Sequence, residues 1–323
     1  MSKGKDIVVS VLCQTYNHEE YIAECLQSLV SQKVNFHYEI LVHDDASTDN
    51  TANIVRQFEK EYPELIKPIY QKVNQWSLGN KVFTGIQLPR CTGKYIAVCE
   101  GDDYWTDLFK LQKQVDLLES EEGIGLVYTK ARVFIQETKQ FANYLVGKER
   151  TSLDSLILKG NAIPTLTAMW KREIMEEYLS IFTQPMQKWK MADYPLWIYI
   201  VGKYKVAFLN EVTGVYRVLS NSASHQVSCK KNIKFTRCYF EISSFFVDYF
   251  HLDVKFHQII KQGYISYVVK TCIQKQYKEH VIYRYLCRYS KVDNVKIFIF
   301  KTLTMNSLGR GIIRYLLNKK QNG

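Results

Sequence analysis

Through the first 130 residues, short apolar runs of strand length alternate with stretches in which apolar residues recur every three to four positions. Ile7-Val8-Val9-Ser10-Val11-Leu12 is a nearly continuous apolar run, the pattern of a parallel strand covered on both faces. Gln14-Thr15-Tyr16-Asn17 breaks it, Asn17 stands three residues before Glu20 at the spacing of a helix capping box, and Ile22, Cys25, Leu26, Leu29 and Val30 then repeat at helical period. A second strand, Glu39 to His43, ends in Asp44-Asp45-Ala46-Ser47-Thr48-Asp49-Asn50-Thr51, and Ile54, Val55 and Phe58 mark a helix that closes before Pro63. Ile69 to Gln71 reads as a short third strand, while residues 74–90 carry no clear period. Tyr95 to Cys99 is the next strand, and Leu108, Leu111, Val115 and Leu118 again have helical spacing. Ile124 to Tyr128, Leu166 to Trp170, Val206 to Leu209 and Val212 to Arg217 give further strand signals. This alternation predicts an α/β protein with a mostly parallel central sheet flanked by helices, whose ligands meet the carboxyl ends of the strands.

Those ends are where the polar residues gather. The Tyr95–Cys99 run delivers Glu100-Gly101-Asp102-Asp103-Tyr104-Trp105, three carboxylates around one glycine. Oxygen-only ligands of this kind suit a hard divalent ion, Mg²⁺ or Mn²⁺, completed by substrate phosphates. Taken alone, the same residues would equally make a solvated acidic turn. The loop after the first strand offers backbone N–H groups and the ring of Tyr16, and the absence of G-x-G-x-x-G disfavours a dehydrogenase-type dinucleotide fold. Asp193 opens a predicted helix with Pro195 in its first turn, a position that a helix cap explains without any function.

Charge divides the chain. From Gln226 to Gly323 there are 18 Lys and Arg against 5 Asp and Glu, an excess of 13 that exceeds the +11 of the whole chain and leaves residues 1–225 at −2. We therefore expect a near-neutral catalytic domain over residues 1–225 and a basic, aromatic-rich helical region over 226–323. In that region Tyr239, Phe240, Phe245, Phe246, Tyr249, Phe250, Tyr283, Arg284, Tyr285, Arg288 and Tyr289 interleave with Lys and Arg. No nucleic-acid recognition motif accompanies them, so the expectation is a helical cap with peripheral contact to an anionic membrane surface. The eight cysteines form no C-x-x-C pair or zinc spacing and read as reduced, buried thiols of a cytoplasmic protein. Residues 1–6 lead into a strand without a signal-peptide core, and no uncharged apolar run of about 18 residues is present to span a membrane.

Three motifs in this order carry a family resemblance. Val9-Ser10-Val11-Leu12-Cys13-Gln14-Thr15-Tyr16-Asn17, the Asp-Asp-x-Ser-Thr-Asp core within Ile40 to Thr51, and Glu100-Gly101-Asp102-Asp103 together resemble the family 2 glycosyltransferases of GT-A fold, over about the first 225 residues. The resemblance implies inverting transfer of a sugar from a nucleotide diphosphate donor, a UDP-sugar by analogy, assisted by Mn²⁺ or Mg²⁺. The acceptor it implies is a hydroxyl of a saccharide or lipid-linked saccharide, in bacterial envelope or capsular polysaccharide synthesis at the inner face of the membrane. By position, Tyr16 and the Thr15 backbone would hold the nucleobase together with Asn17, and Asp45, helped by Asp44, would accept from its ring N–H. Glu100-x-Asp102 stands where the family has Asp-x-Asp, with Glu100 near the ribose or metal, Gly101 and Asp103 beside the donor and Asp102 on the metal. Glu100 is a departure, one methylene longer than the family's first Asp. Asp193 occupies the place of the catalytic base, and His225 that of a late ligand to metal or diphosphate.

Rival readings have sequence tests. A processive synthase needs membrane spans and a Gln-x-x-Arg-Trp motif, and a nucleotidyltransferase needs a Gly-rich basic signature after the first strand; the sequence shows neither. A catalytically inactive scaffold that docks a partner transferase at the membrane would have no need of Asp45, Asp102 and Asp193 together.

Overall fold

A computed structural model describes residues 6–186, 189, 191–219, 229–274 and 311. Two compact units are distinguished: Met1–Gln187 with Leu196–Ser220, and Lys188–Pro195 with Asn221–Gly323.

In the first unit the two βα repeats form as the periodicity predicts. Strands β1 (Ile7–Thr15) and β2 (His37–Asp44) are followed by helices α1 (Ile22–Val30) and α2 (Thr51–Glu61), and then come β3 (Ile66–Tyr70) and β4 (Tyr95–Val98). These four strands pair in parallel in the order β3-β2-β1-β4, with the apolar faces of β1, β2 and α1 closing a core of Val9, Val11, Leu26, Leu29, Ile40 and Val42. All four parallel strands therefore present their carboxyl ends along one edge.

Beyond β4 the sheet turns mixed. Its order continues through β8 (Met169–Lys171), β6 (Ile124–Ile135), β9 (Lys205–Val218) and β5 (Tyr104–Trp105), with β7 (Gln140–Val146) on β6, while helices α4 (Leu153–Lys159) and α5 (Arg172–Met186) precede and follow β8 in the chain. The β4·β8, β8·β6, β6·β7 and β5·β9 pairs are antiparallel and only β6·β9 is parallel, so the mostly parallel sheet expected from the repeats holds for the first half alone. β6 runs seven residues past the predicted Tyr128. Thr129, next in line, is buried and its hydroxyl meets that of Thr213 on β9 at 2.6 Å, so polar residues continue a strand whose apolar pattern has stopped. The two strand signals at 206–209 and 212–217 are one strand, β9, whose register against β6 shifts near Lys130.

α3 (Lys110–Ser120) packs against β6 and carries an unusual interior group. Lys110 is fully buried, its Nζ donates to Gln114 Oε1 at 2.7 Å, and it lies 4.0 Å from the Trp105 ring centroid. Burial pushes its pKa down to about 7. A native-state value below the ordinary lysine range means that the unfolded chain binds more protons between the two values, so this group's contribution to stability rises with pH above about 7. Denaturant melts of wild type and Lys110→Met should therefore show the stability difference moving in favour of wild type as pH is raised from about 7 to about 9; a difference independent of pH would refute the buried, neutral amine.

The second unit contains α7 (Cys229–Tyr249) and α8 (Lys255–Gln274), which pack on each other. Tyr194 stacks on Tyr239 at 4.2 Å between centroids and exchanges a 2.8 Å hydrogen bond with Ser243. Several of the aromatic residues singled out from the sequence pack inside this unit: Phe246 is fully buried and meets Phe245, Tyr249 and Phe250. Tyr283, Arg284, Tyr285, Arg288 and Tyr289 lie outside the described residues. Among the described residues no helix is long and apolar enough to cross a membrane.

Candidate active site

The loops after β1 and β2 are sewn together residue by residue. Asn17 adopts a left-handed backbone (φ 54°), which Asn tolerates better than most residues. Its N–H donates to Ser47 Oγ at 2.9 Å and its Oδ1 accepts from the Thr48 N–H at 2.8 Å. The His18 N–H donates to Thr51 Oγ1, and Glu19 and Asp49 hold each other's loops through the Asn50 and Glu19 N–H groups. Asn17 is thus not the cap of α1, as its spacing to Glu20 suggested: the helix begins at Ile22 with Tyr21 in the cap position, and the Asn17 side chain is spent on the second loop.

The acidic turn enters this pair of loops from β4. The Gly101 N–H donates to Gln14 O at 2.9 Å, which lays the turn against the end of β1. A Cβ at Gly101 would stand 2.7 Å from Thr15 Oγ1 and 3.0 Å from His18 Nδ1, so only glycine fits there. Glu100, Asp102 and Asp103 each bring a carboxylate oxygen within 4.8 Å of the others. Asp103 is 2 % exposed, and its Oδ1 accepts from the Arg217 N–H at 2.7 Å. Burial, reinforced by the Asp102 and Glu100 charges, pushes its carboxyl well above the usual range. Three carboxylates this close repel one another, and an oxygen-only donor set of this size fits a hard divalent cation such as Mn²⁺ or Mg²⁺.

At the neighbouring strand end the structure assigns Asp45 work that the sequence did not reveal. Its two oxygens accept from the N–H groups of Gln75 and Trp76 at 2.6 and 3.1 Å, fastening the loop that follows β3. Trp76 is 65 % exposed on that loop, and Tyr16 is 43 % exposed on the loop after β1. Asp44 is buried, and among the described residues its Oδ1 has no hydrogen-bond partner.

Sequence reasoning missed His18 and Arg217. His18 lies beside Gly101, and burial lowers its pKa even though Asp102 and Asp49 pull the other way. Its signal was weak, one histidine just past a motif already explained. Asp193 opens α6 (Asp193–Lys203) and belongs to the second unit, whereas the acidic turn belongs to the first. His225 lies outside the described residues.

The arrangement of a parallel half-sheet, two stitched βα loops and an acidic turn at the end of β4 defines a GT-A-type α/β fold. Its likeness to solved structures agrees: the fold superposes on the crystal structure of Staphylococcus aureus TarS residues 1–349 in complex with UDP-GlcNAc with a TM-score of 0.62, at 16 % identity and covering 97 % of this chain and 92 % of that one. The sequence profile of the glycosyl transferase family 2 matches residues 10–179, and the chain belongs to that family. An uncharacterised protein of Mycobacterium tuberculosis is 31 % identical over 211 residues, which is 65 % of this chain and 58 % of that protein, so the match spans little more than half of the relative's length. TuaG of Bacillus subtilis, assigned as a glycosyltransferase of teichuronic acid biosynthesis, is 29 % identical over 218 residues, 67 % of this chain and 81 % of TuaG.

Proposed function

We propose that this chain transfers a sugar, with inversion, from a UDP-sugar to a hydroxyl of a saccharide or lipid-linked saccharide acceptor in envelope polysaccharide synthesis. The observation that carries this reading is the convergence of Glu100, Asp102 and Asp103 within 4.8 Å at the end of β4. Family membership, the UDP-GlcNAc bound by TarS and the name of TuaG support the donor and the setting.

In this reading the ring of Tyr16 stacks on the nucleobase, and Asp45 accepts from a ring N–H. A carboxylate offers about four lone-pair sites, so Asp45 has room for that bond while it holds Gln75 and Trp76. Asp102, with Glu100 and Asp103, holds Mn²⁺ or Mg²⁺. Once bound, the ion supplies Lewis-acid stabilisation of the negative charge on the departing diphosphate. Asp193 accepts the proton of the acceptor hydroxyl, whose oxygen attacks the anomeric carbon from the face opposite the diphosphate; that opposition is the origin of inversion.

Ligand-dependent melting tests the reading directly. UDP with Mn²⁺ should raise the melting temperature well beyond either alone, since a ligand at a hundredfold excess over its Kd stabilises the native state by about 2.7 kcal/mol. A panel of sugar nucleotides, scored for Mn²⁺-dependent hydrolysis, then identifies the donor. No shift with any nucleoside diphosphate and either metal would favour the inactive scaffold instead.

A further inference from the structure

We propose that Arg217 is a positioning residue that holds the acidic turn in the shape required to bind its cation. The inference rests on the reading of that turn as the cation site. β5 and β9 pair through Tyr104 with Val215 and Trp105 with Gly214, and the ladder stops there. Arg217, two residues further along β9, continues the join with both its backbone and its side chain. Its N–H donates to Asp103 Oδ1 at 2.7 Å and its Nε to the Asp102 carbonyl at 2.8 Å. The peptide that links two of the three carboxylates is therefore gripped from β9.

The far end of the guanidinium is fixed in turn. Its two terminal nitrogens donate to Glu24 Oε2 at 2.7 Å and Gln136 Oε1 at 3.1 Å, and the Tyr21 ring lies 4.8 Å from its central carbon. Only 8 % of the side chain is exposed. Three acceptors on three separate elements match the planar fork of Arg, and a lysine ammonium cannot reach them from one stem in that geometry. The permanent positive charge also offsets the mutual repulsion of Glu100, Asp102 and Asp103 before a cation arrives, so the turn need not splay when empty. None of the Arg217 hydrogen bonds goes to the Asp102 carboxylate, which leaves that group available as a ligand.

The test measures Mn²⁺ binding to the full chain by electron paramagnetic resonance of free Mn²⁺, alongside melting temperature and turnover. Residues that orient metal ligands typically change metal affinity by roughly 10–100-fold when replaced, and Arg217→Lys and Arg217→Gln should weaken Mn²⁺ binding by that factor. Turnover at low Mn²⁺ should fall with it and recover in part at high Mn²⁺, a rescue that a merely structural role would not produce. Should the Arg217 variants fail to fold, Glu24→Ala and Gln136→Ala decide the matter. Each frees one end of the guanidinium from a partly exposed partner, and each should weaken Mn²⁺ binding severalfold. Folded Arg217 variants, or the Glu24 and Gln136 variants in their place, that bind Mn²⁺ like wild type overturn the proposal. If Asp102→Ala also binds like wild type, or wild type binds no Mn²⁺, the cation reading itself has failed and takes the proposal with it.

Discussion

Replacing Asp102 by Ala should remove Mn²⁺-dependent binding of a nucleoside diphosphate while leaving the fold intact. Asp102 is half-buried, and its structural ties run through its carbonyl, which accepts from Arg217 Nε. Removing the carboxylate leaves that bond in place, so the melting temperature of the ligand-free protein should stay close to wild type, as for substitutions outside the packed core. The cation loses the one carboxylate of the three that is half-exposed and tied to the fold only through its backbone, whereas Asp103 is buried and already accepts from the Arg217 N–H. Calorimetry with UDP and Mn²⁺ should show affinity reduced to that of metal-free UDP. Unchanged affinity would exclude Asp102 as a ligand.

Asp193→Asn should abolish transfer with donor binding nearly unchanged. A well-placed carboxylate base contributes typically ~10²–10⁴-fold to the rate, and the amide keeps its shape while losing its basicity. A purely structural role makes a different prediction. Asp193 sits in the first turn of α6, where a negative charge interacts favourably with the helix dipole by about 0.3–1 kcal/mol. If that is its whole contribution, Asp193→Asn lowers the melting temperature slightly and turnover persists. Loss of donor affinity with retained turnover would also remove the base assignment. Stopped-flow or end-point transfer assays against UDP binding separate these outcomes.

Much of the first half of the fold was legible because its signals are local. An apolar run, a break and a helical repeat lie within about twenty residues of one another, and β1, α1, β2 and α2 formed where those patterns placed them. Residues 74–90 gave no pattern because their order comes from elsewhere: the Asp45 carboxylate, some thirty positions upstream, fixes the Gln75 and Trp76 backbone. β7 and the second half of β6 were missed for a related reason. β7 is exposed along most of its length and the Thr129 to Thr213 contact is polar, so neither shows the apolar alternation by which a half-buried strand is recognised.

The candidate site divides along the same line. Its ligand types and their approximate place were written in the chain, since the residues that end β1, β2 and β4 are polar in all three and parallel strands must bring those ends to one edge. Which side chains remain available to a ligand was decided only in three dimensions. Asn17 turned from helix cap to staple, Asp45 took on the loop after β3, Asp103 went under β9, and an unremarked Arg217 became the residue that holds the acidic turn. A hydrogen bond between residues 115 positions apart leaves no periodic trace in the sequence, because it depends on the register of β9 against β5 and not on the chemistry of either neighbour in the chain.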